Sequence, residues 1–433
     1  LAGAPDPNNV QQALALLQWR PEAKKKLLNE LCRLAMKVRV ARQAQAAAQG
    51  ADAAAELDAA YTAVETASTP ARLSSSIQRV IRARKVWREA YAADHDRAEW
   101  KARRDWVHSR ENPSKGLTAA LAAQVPPEAK LIPGLCSPAT GRLVAHGRPL
   151  AQLMATYQAN ISKASPRKPE SVQEVVDAVA SSTFKLSAEE AEGIGSMQVD
   201  EAEVKAALKH SKPGTAPGLD GLPVELYRRC GDIFIPVLAK VFTAIGMTET
   251  LPAGLLDGVI SSIYKKGQRS DPANYRPITV LNTDYRLLAK VLANRLKGVI
   301  GKLVHPAQTG FVPGRHIGEN LLLNQLLPSA LVTSRAAAVC CDFRKAYDTV
   351  DRGFLFRIME AQGVGPGFMK WVKLILSNTS ACACINGHLS GMVAFTAGVR
   401  QGCPLAPYLY LLVTQALHCL LSTKGFWVQV EGK

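Results

Sequence analysis

The side chains best suited to metal-assisted chemistry lie in Ala336–Asp351, which reads A-A-A-V-C-C-D-F-R-K-A-Y-D-T-V-D. Small and β-branched residues lead up to Asp342, after which charges and aromatics alternate. The pattern predicts a short buried strand that ends at Asp342 and passes into a helix. A carboxylate at the C-terminal end of a strand is well placed to hold Mg²⁺, a hard cation that takes oxygen ligands and keeps positions open for water and phosphate. Taken alone, such an Asp also serves as a helix cap or a turn residue. Asp348 and Asp351 are its nearest rivals for metal, but they fall inside or at the start of the expected helix and read as helix-start charges favoured by its dipole. A second stretch, Gly398–Pro407, reads G-V-R-Q-G-C-P-L-A-P and precedes an apolar helical run from Tyr408 to Leu421. Its Gly402 lets backbone approach a flat ligand, and its Gln401 offers both a donor and an acceptor.

Other elements must hold these two stretches in place. Val259–Val280 alternates apolar and polar residues at each end around a basic Gly-Asp-Pro turn, and predicts two strands joined by a loop. An amphipathic helix is expected from Thr283 to Leu303, with Arg286, Lys290 and Lys297 on a face that either tracks a template backbone or meets water. Two helices, Arg352–Gln362 and Gly367–Ser377, precede a hairpin turned by Asn386-Gly387 and a strand at Met392–Thr396. Upstream, Lys212–Glu225 (K-P-G-T-A-P-G-L-D-G-L-P-V-E) is a turn-dense loop whose amides can meet a phosphate. Helices are expected at Ser171–Ala180 and at Asp200–Lys209, where Asp200 and Glu203 resemble an N-terminal cap.

The chain has 433 residues, 47% hydrophobic, enough for two or three domains. Its net charge of +17 suits a polyanionic partner. No apolar run of membrane-spanning length and no signal peptide are read in it, and a soluble intracellular protein is expected. The nine cysteines form no zinc-binding pattern and read as reduced thiols. Residues 1–112 are Ala-rich and charged, with helical spacing at Ala13–Val40, Ala51–Thr66 and Leu73–Val107. Trp87, Tyr91, Trp100 and Trp106 lie among basic residues there, an arrangement that either grips nucleic acid or packs Trp inward and Arg outward. Residues 113 to about 170 are rich in Pro, Gly and Ser and read as a tether. Leu1 is not Met, and both ends read as cut.

D-F-R-K-A-Y-D followed by R-Q-G-C-P-L-A-P resembles motifs A and B of reverse transcriptases, most closely those of non-LTR (LINE-type) retrotransposons. The likeness extends over residues 200–433 through P-G-L-D-G-L-P-V-E, N-Y-R-P-I-T-V-L-N (Asn274–Asn282) and Q-T-G-F-V-P-G-R (Gln308–Arg315). It implies an α+β right-hand polymerase: fingers at 200–335 and a partial palm at 336–433, preceded by a mostly helical linker region (1–112) and a connector with short helices (113–199). It implies two Mg²⁺ ions, with Asp342 catalytic and metal binding at Asp342 and Phe343. Lys265 or Lys266 together with Arg276 would hold the triphosphate of a dNTP, Tyr347 would screen the sugar's 2′ position, and Gln401 and Gly402 would lie against the nucleotide and its base pair. Arg315, Arg286 and Lys290 are the candidate contacts to an RNA template and DNA primer, Arg315 alternatively serving a structural ion pair. No membrane partner is implied, and the resemblance leaves the oligomeric state open. A nuclear or cytoplasmic location follows from the family.

Reverse transcriptases place further metal-binding carboxylates in an aromatic-x-Asp-Asp hairpin after motif B. Tyr408–Lys433 holds one acid, Glu431, and no Asp. The expectation is therefore that this polypeptide by itself does not polymerise. The alternative is a non-catalytic nucleic-acid-binding remnant of a decayed element.

Overall fold

The computed structural model describes residues 9–65, 72, 75–76, 78–83, 86, 131–163, 169–330 and 341–425. The expected strand before Cys341, most of the helical stretch Leu73–Val107 with its four aromatics, and the Pro-rich segments at 113–130 and 164–168 lie outside the described residues.

The first helix, α1 (Val10–Glu65), is continuous and carries Pro21 inside it, where the spacing predicts two segments. A small hairpin, β1 (Leu135–Cys136) and β2 (Leu143–Val144), then leads to α2 (Gly147–Ile161). Next come α3 (Pro169–Ala180), α4 (Ala188–Gly195), α5 (Glu201–Lys209), α6 (Val224–Arg229) and α7 (Gly231–Thr248). Asp200 caps α5 in a reciprocal box with Glu203, the expected arrangement, and Ser187 with Glu190 repeats it on α4. By length and composition α7 is apolar enough to cross a membrane, which corrects the expectation that no run reaches that length. Its apolar side is turned inward, however: Phe234, Leu238, Val241, Phe242 and Ile245 are buried, and α5 packs against it.

The predicted hairpin forms as β3 (Asp257–Tyr264) and β4 (Tyr275–Leu281), antiparallel with Gly258 opposite Leu281 and Tyr264 opposite Tyr275. Along β4 the buried positions Tyr275, Pro277, Thr279 and Leu281 alternate with more open ones, the period-two signature of a strand with one face covered. Pro277 has no N–H for a ladder, and β4 is an edge strand, where that omission is tolerated. The chain continues through α8 (Thr283–Leu303), as the spacing predicts, and α9 (Ile317–Ala330). After the motif A residues come α10 (Arg352–Ala361), α11 (Pro366–Leu376), β5 (Ser380–Ile385), β6 (His388–Leu389), β7 (Val393–Ala394) and α12 (Ala406–Thr423). The sheet order is β4-β3-β5-β6 with β7 also on β5, and β3 and β5 run parallel.

Two differences from the sequence expectation bear on the site. Residues 344–349 form turns, not a helix: Lys345 takes φ +54, a left-handed backbone that a helix cannot contain. The part of the expected connector that is described includes α2, whose Leu150, Ala151, Met154 and Ala155 pack into one core with Ile260, Tyr275, Ala381, Ala383 and Ile385 of the sheet. That burial packs α2 onto the face of the sheet. The chain divides into two compact units: one holds α1 up to Ala23, residues 132–385 and 389–433, and the other residues 24–131 with 386–388. Within the second, Arg79 pairs with Glu56 at 2.8 Å. Within the first, buried Arg20 of α1 pairs with buried Asp284 of α8 through Nε at 3.0 Å.

Candidate nucleotide site

The Gly398–Gln401 loop is pinned on two sides. On one, Gly398 N–H donates to Val350 O at 2.7 Å and Val399 N–H to Tyr347 O at 2.8 Å, which joins the loop to the turn after Asp342. A Cβ at Gly398, which has φ +82, would lie 2.5 Å from Asp348 O, so only glycine permits that approach. On the other, Thr279 N–H of β4 donates to Gln401 O at 2.8 Å. The loop thereby covers the open edge of the sheet. Gly402, with φ +111, packs so tightly that a Cβ would sit 2.4 Å from Thr279 O.

Around this junction the side chains form a cluster drawn from three regions of sequence. Asp342 is exposed, as is its neighbour Phe343. Tyr347 stacks on Tyr410 of α12 with ring centroids 4.8 Å apart. Burial raises the Tyr410 hydroxyl's pKa, and the nearby Asp342 charge adds to that, which places all three together. Lys345 reaches from the turn to Ala273 O and Tyr275 O, each at 3.4 Å, beside Arg276 of β4. Burial lowers the Lys345 ammonium, Asp348 counteracts this, and Lys265 is close enough to lower it further. Lys265, Lys266 and Arg276 are exposed on the hairpin.

Asp348 is not a helix-start charge. It is 8% exposed and accepts from Gln401 Nε2 at 3.3 and 3.2 Å through its two carboxylate oxygens. Burial pushes its carboxyl up to about 6, against the opposing effects of Lys345 and Gln401. Asp351 is a helix-start residue, capping α10 by accepting from Phe354 N–H at 2.6 Å. Below the loop, Arg352 donates to carbonyls of Leu376, Phe395, Ala397 and Gly398. Burial, with Arg400 nearby, lowers it to about 10.

The remaining predicted residues lie elsewhere. Arg286 donates to Thr215 Oγ1 at 3.2 Å and Thr283 Oγ1 at 3.0 Å, tying the Lys212–Glu225 loop to α8. Lys290, one turn further along α8, is half-buried. Arg315 donates to the carbonyls of His305 (2.6 Å), Gln308 (2.8 Å) and Gly301 (3.3 Å), closing its own loop.

As to metal, Asp342 fits as one oxygen ligand for Mg²⁺. Asp348 is taken up by Gln401 and Asp351 by the helix cap, and no group of three or more potential ligands forms among the described residues. These residues do not by themselves make up a two-ion site, since two octahedral ions need several carboxylates.

Residues 263–429 match the family described as reverse transcriptase (RNA-dependent DNA polymerase). Over 51% of the chain the sequence is 36% identical to the Transposon TX1 uncharacterized 149 kDa protein of Xenopus laevis, covering 17% of that protein. Over 52% it is 31% identical to a retrovirus-related Pol polyprotein from the type-1 retrotransposable element R2 of Popillia japonica, covering 31% of it. Over 56% it is 26% identical to the RNA-directed DNA polymerase from the mobile element jockey of Drosophila melanogaster, covering 26%. The chain thus spans less than a third of the length of these relatives. It carries a reverse transcriptase domain, homologous to those of non-LTR retrotransposons.

Sequence reasoning passed over Lys345, Tyr410 and the buried role of Asp348. Lys345 stands inside the motif A residues, so its proximity to Asp342 was a signal in plain view. Tyr410 reads as one more apolar position of a core helix.

Proposed function

We propose that this chain supplies the fingers and the first part of the palm of an RNA-directed DNA polymerase, which adds dNTPs to a DNA primer on an RNA template. The observation that carries the reading is the double attachment of Gln401, by its main chain to Thr279 of β4 and by its side chain to Asp348. This fixes the Gln401-Gly402 loop between β4, the strand that carries Arg276, and the turn that carries Tyr347, with Lys265 close to Lys345 of that turn. Arg276 offers a planar fork for phosphate oxygens and Lys265 or Lys266 a point charge. Tyr347 presents a flat ring where a sugar would lie, and Gly402 lets the loop pack tightly enough on Thr279 to hold Gln401 in place. Asp342 would hold one of the Mg²⁺ ions that, when bound, polarise the attacking hydroxyl and neutralise the phosphates. Arg286, Lys290 and Arg315 are proposed along the path of the template and primer, with Arg286 and Arg315 fixed by the loops they tie. An intracellular setting is part of the proposal and suits the free thiols of all the described cysteines.

The test is primer binding and extension with Mg²⁺. The chain should bind an RNA–DNA template–primer with steep salt dependence and should not extend it, because Asp342 is the one motif A carboxylate left open to metal among the described residues. Extension that Asp342→Ala abolishes would show that a full metal site is present. Absence of template–primer binding at low salt would remove the polymerase reading altogether.

A further inference from the structure

Asp348 has no part in the chemistry above, yet the fold keeps it covered and gives it one side-chain partner. The groups that face it are Lys345 on its own turn, Tyr157 of α2, Arg352 of α10, and Arg400 and Gln401 of the loop. Arg344 and Asp271 lie beside Lys345 in turn. Of these, Gln401 makes the hydrogen bonds, through Nε2 to both carboxylate oxygens at 3.3 and 3.2 Å. An ionised carboxylate only accepts, so the end of the amide it holds must be the amino end. The Gln401 carbonyl oxygen then points the other way, and no hydrogen bond to it is formed among the described residues. Both backbones are fixed, Asp348 by the tight approach of Gly398 and Gln401 by the bond from Thr279. The two contacts to the carboxylate then decide which end of the amide faces Asp348.

We propose that Asp348 is a positioning residue for the nucleotide site: its carboxylate locks the Gln401 amide so that an acceptor oxygen, not an amino group, meets the incoming nucleotide. This rests on the reading of Gln401 as a nucleotide contact. Protonation turns the carboxyl into a donor on one oxygen and removes the reason for the amino end to face it, so the lock holds above the Asp348 pKa and loosens as the pH falls through it. Burial sets that pKa at about 6, inside the range where the change can be watched.

Two measurements test the proposal. The first is the side-chain amide signal of Gln401 in the full chain labelled with ¹⁵N-glutamine, assigned by its loss in Gln401→Glu. It should move with a midpoint near pH 6 in the unaltered chain and stand still across that range in Asp348→Asn. The second is binding of dGTP to the chain loaded with a 3′-blocked primer on an RNA template that presents cytosine. Asp348→Asn should weaken dGTP binding about tenfold, the size expected for a lost charge-assisted hydrogen bond. Template–primer binding, which reports an intact fold, should be unchanged, and Asp348→Asn should add nothing in a Gln401→Ala background. Unaltered dGTP affinity in Asp348→Asn, additive effects of the two substitutions, or a Gln401 amide indifferent to pH overturns the lock. A titrating amide in a chain that binds matched and mismatched nucleotides alike overturns the nucleotide reading of Gln401, and the positioning role with it. Because the amide signal is read without nucleotide, the two failures are distinct.

Discussion

The Tyr347 ring lies nearly flat on Tyr410, with centroids 4.8 Å apart and planes 20° apart. One ring belongs to the turn after Asp342 and the other to the helix after the Gln401 loop, so the stack couples the two motifs. In the proposed site Tyr347 screens the 2′ position, and the Tyr410 face would keep its ring from swinging aside. Tyr410→Ala should reduce the preference for dGTP over GTP, in binding to the template-loaded chain, by about threefold to tenfold, the worth of one aromatic pair. Tyr410→Phe should keep it. An unchanged preference in Tyr410→Ala would mean that Tyr347 is held by other contacts.

Gly402 sits where a side chain has no space, with φ +111 and Thr279 O at 2.4 Å from where a Cβ would be. Gly402→Ala should cost about 1–3 kcal/mol in urea unfolding, from left-handed strain and the displaced loop. It should also weaken nucleotide binding, because Gln401 moves with it. A variant as stable as the parent would show that the loop can shift away from β4 without loss.

Asp348 should be a stability liability. Its folded carboxyl sits at about 6, above the unfolded value of 3.8, so protonation favours the folded state. Its contribution is present in full below the unfolded value and is lost as pH rises through about 6. At pH 8 Asp348→Asn should therefore be the more stable chain, by up to about 3 kcal/mol. The gain should vanish in acid. Equal stability at every pH would mean that the carboxylate is better solvated than its burial implies.

The opposite sign is expected from a histidine pair away from the site. The His305 and His418 rings lie against each other with centroids 3.8 Å apart and planes tilted by 34°, both edge-on to Phe184. Burial, with His305 adding to it, lowers His418 to about 4, and His305 is lowered as well. For a histidine depressed on folding, stability is present above the unfolded value of 6.5 and is lost as pH falls toward 4. Melting temperature should drop over that window, and His418→Phe should flatten the drop. A parallel decline in both chains would assign the acid sensitivity to other groups.

Much of the scaffold was legible because its signals are local. Asp200 with Glu203 marks the start of α5, and alternation marks β3 and β4. The amphipathic spacing along Thr283–Leu303 marks α8, and Asn386-Gly387, both at positive φ, turns the hairpin. The role of Asp348 was not legible in the same way, because its burial comes from Gly398 and Gln401, about fifty residues further along the chain. The helix expected after Asp342 fails at Lys345, whose backbone is left-handed and whose side chain reaches carbonyls of Ala273 and Tyr275, some seventy residues earlier in the chain. The place of α2 in the sheet's core was hidden for a similar reason. Pro, Gly and Ser around it read as tether, while its own Leu150, Ala151, Met154 and Ala155 stripe finds partners only on distant strands.

The central claim is that Lys265, Arg276, Tyr347, Gln401 and Gly402 form one nucleotide site that reads a template. The most direct test is equilibrium binding of the four dNTPs to the chain loaded with a 3′-blocked primer on RNA templates differing at the one base to be copied. The account predicts that the matched dNTP binds most tightly in each case, that the preference follows the template base, and that Arg276→Ala weakens all four alike. Binding that ignores the template base, or that survives Arg276→Ala and Gln401→Ala unchanged, would contradict it.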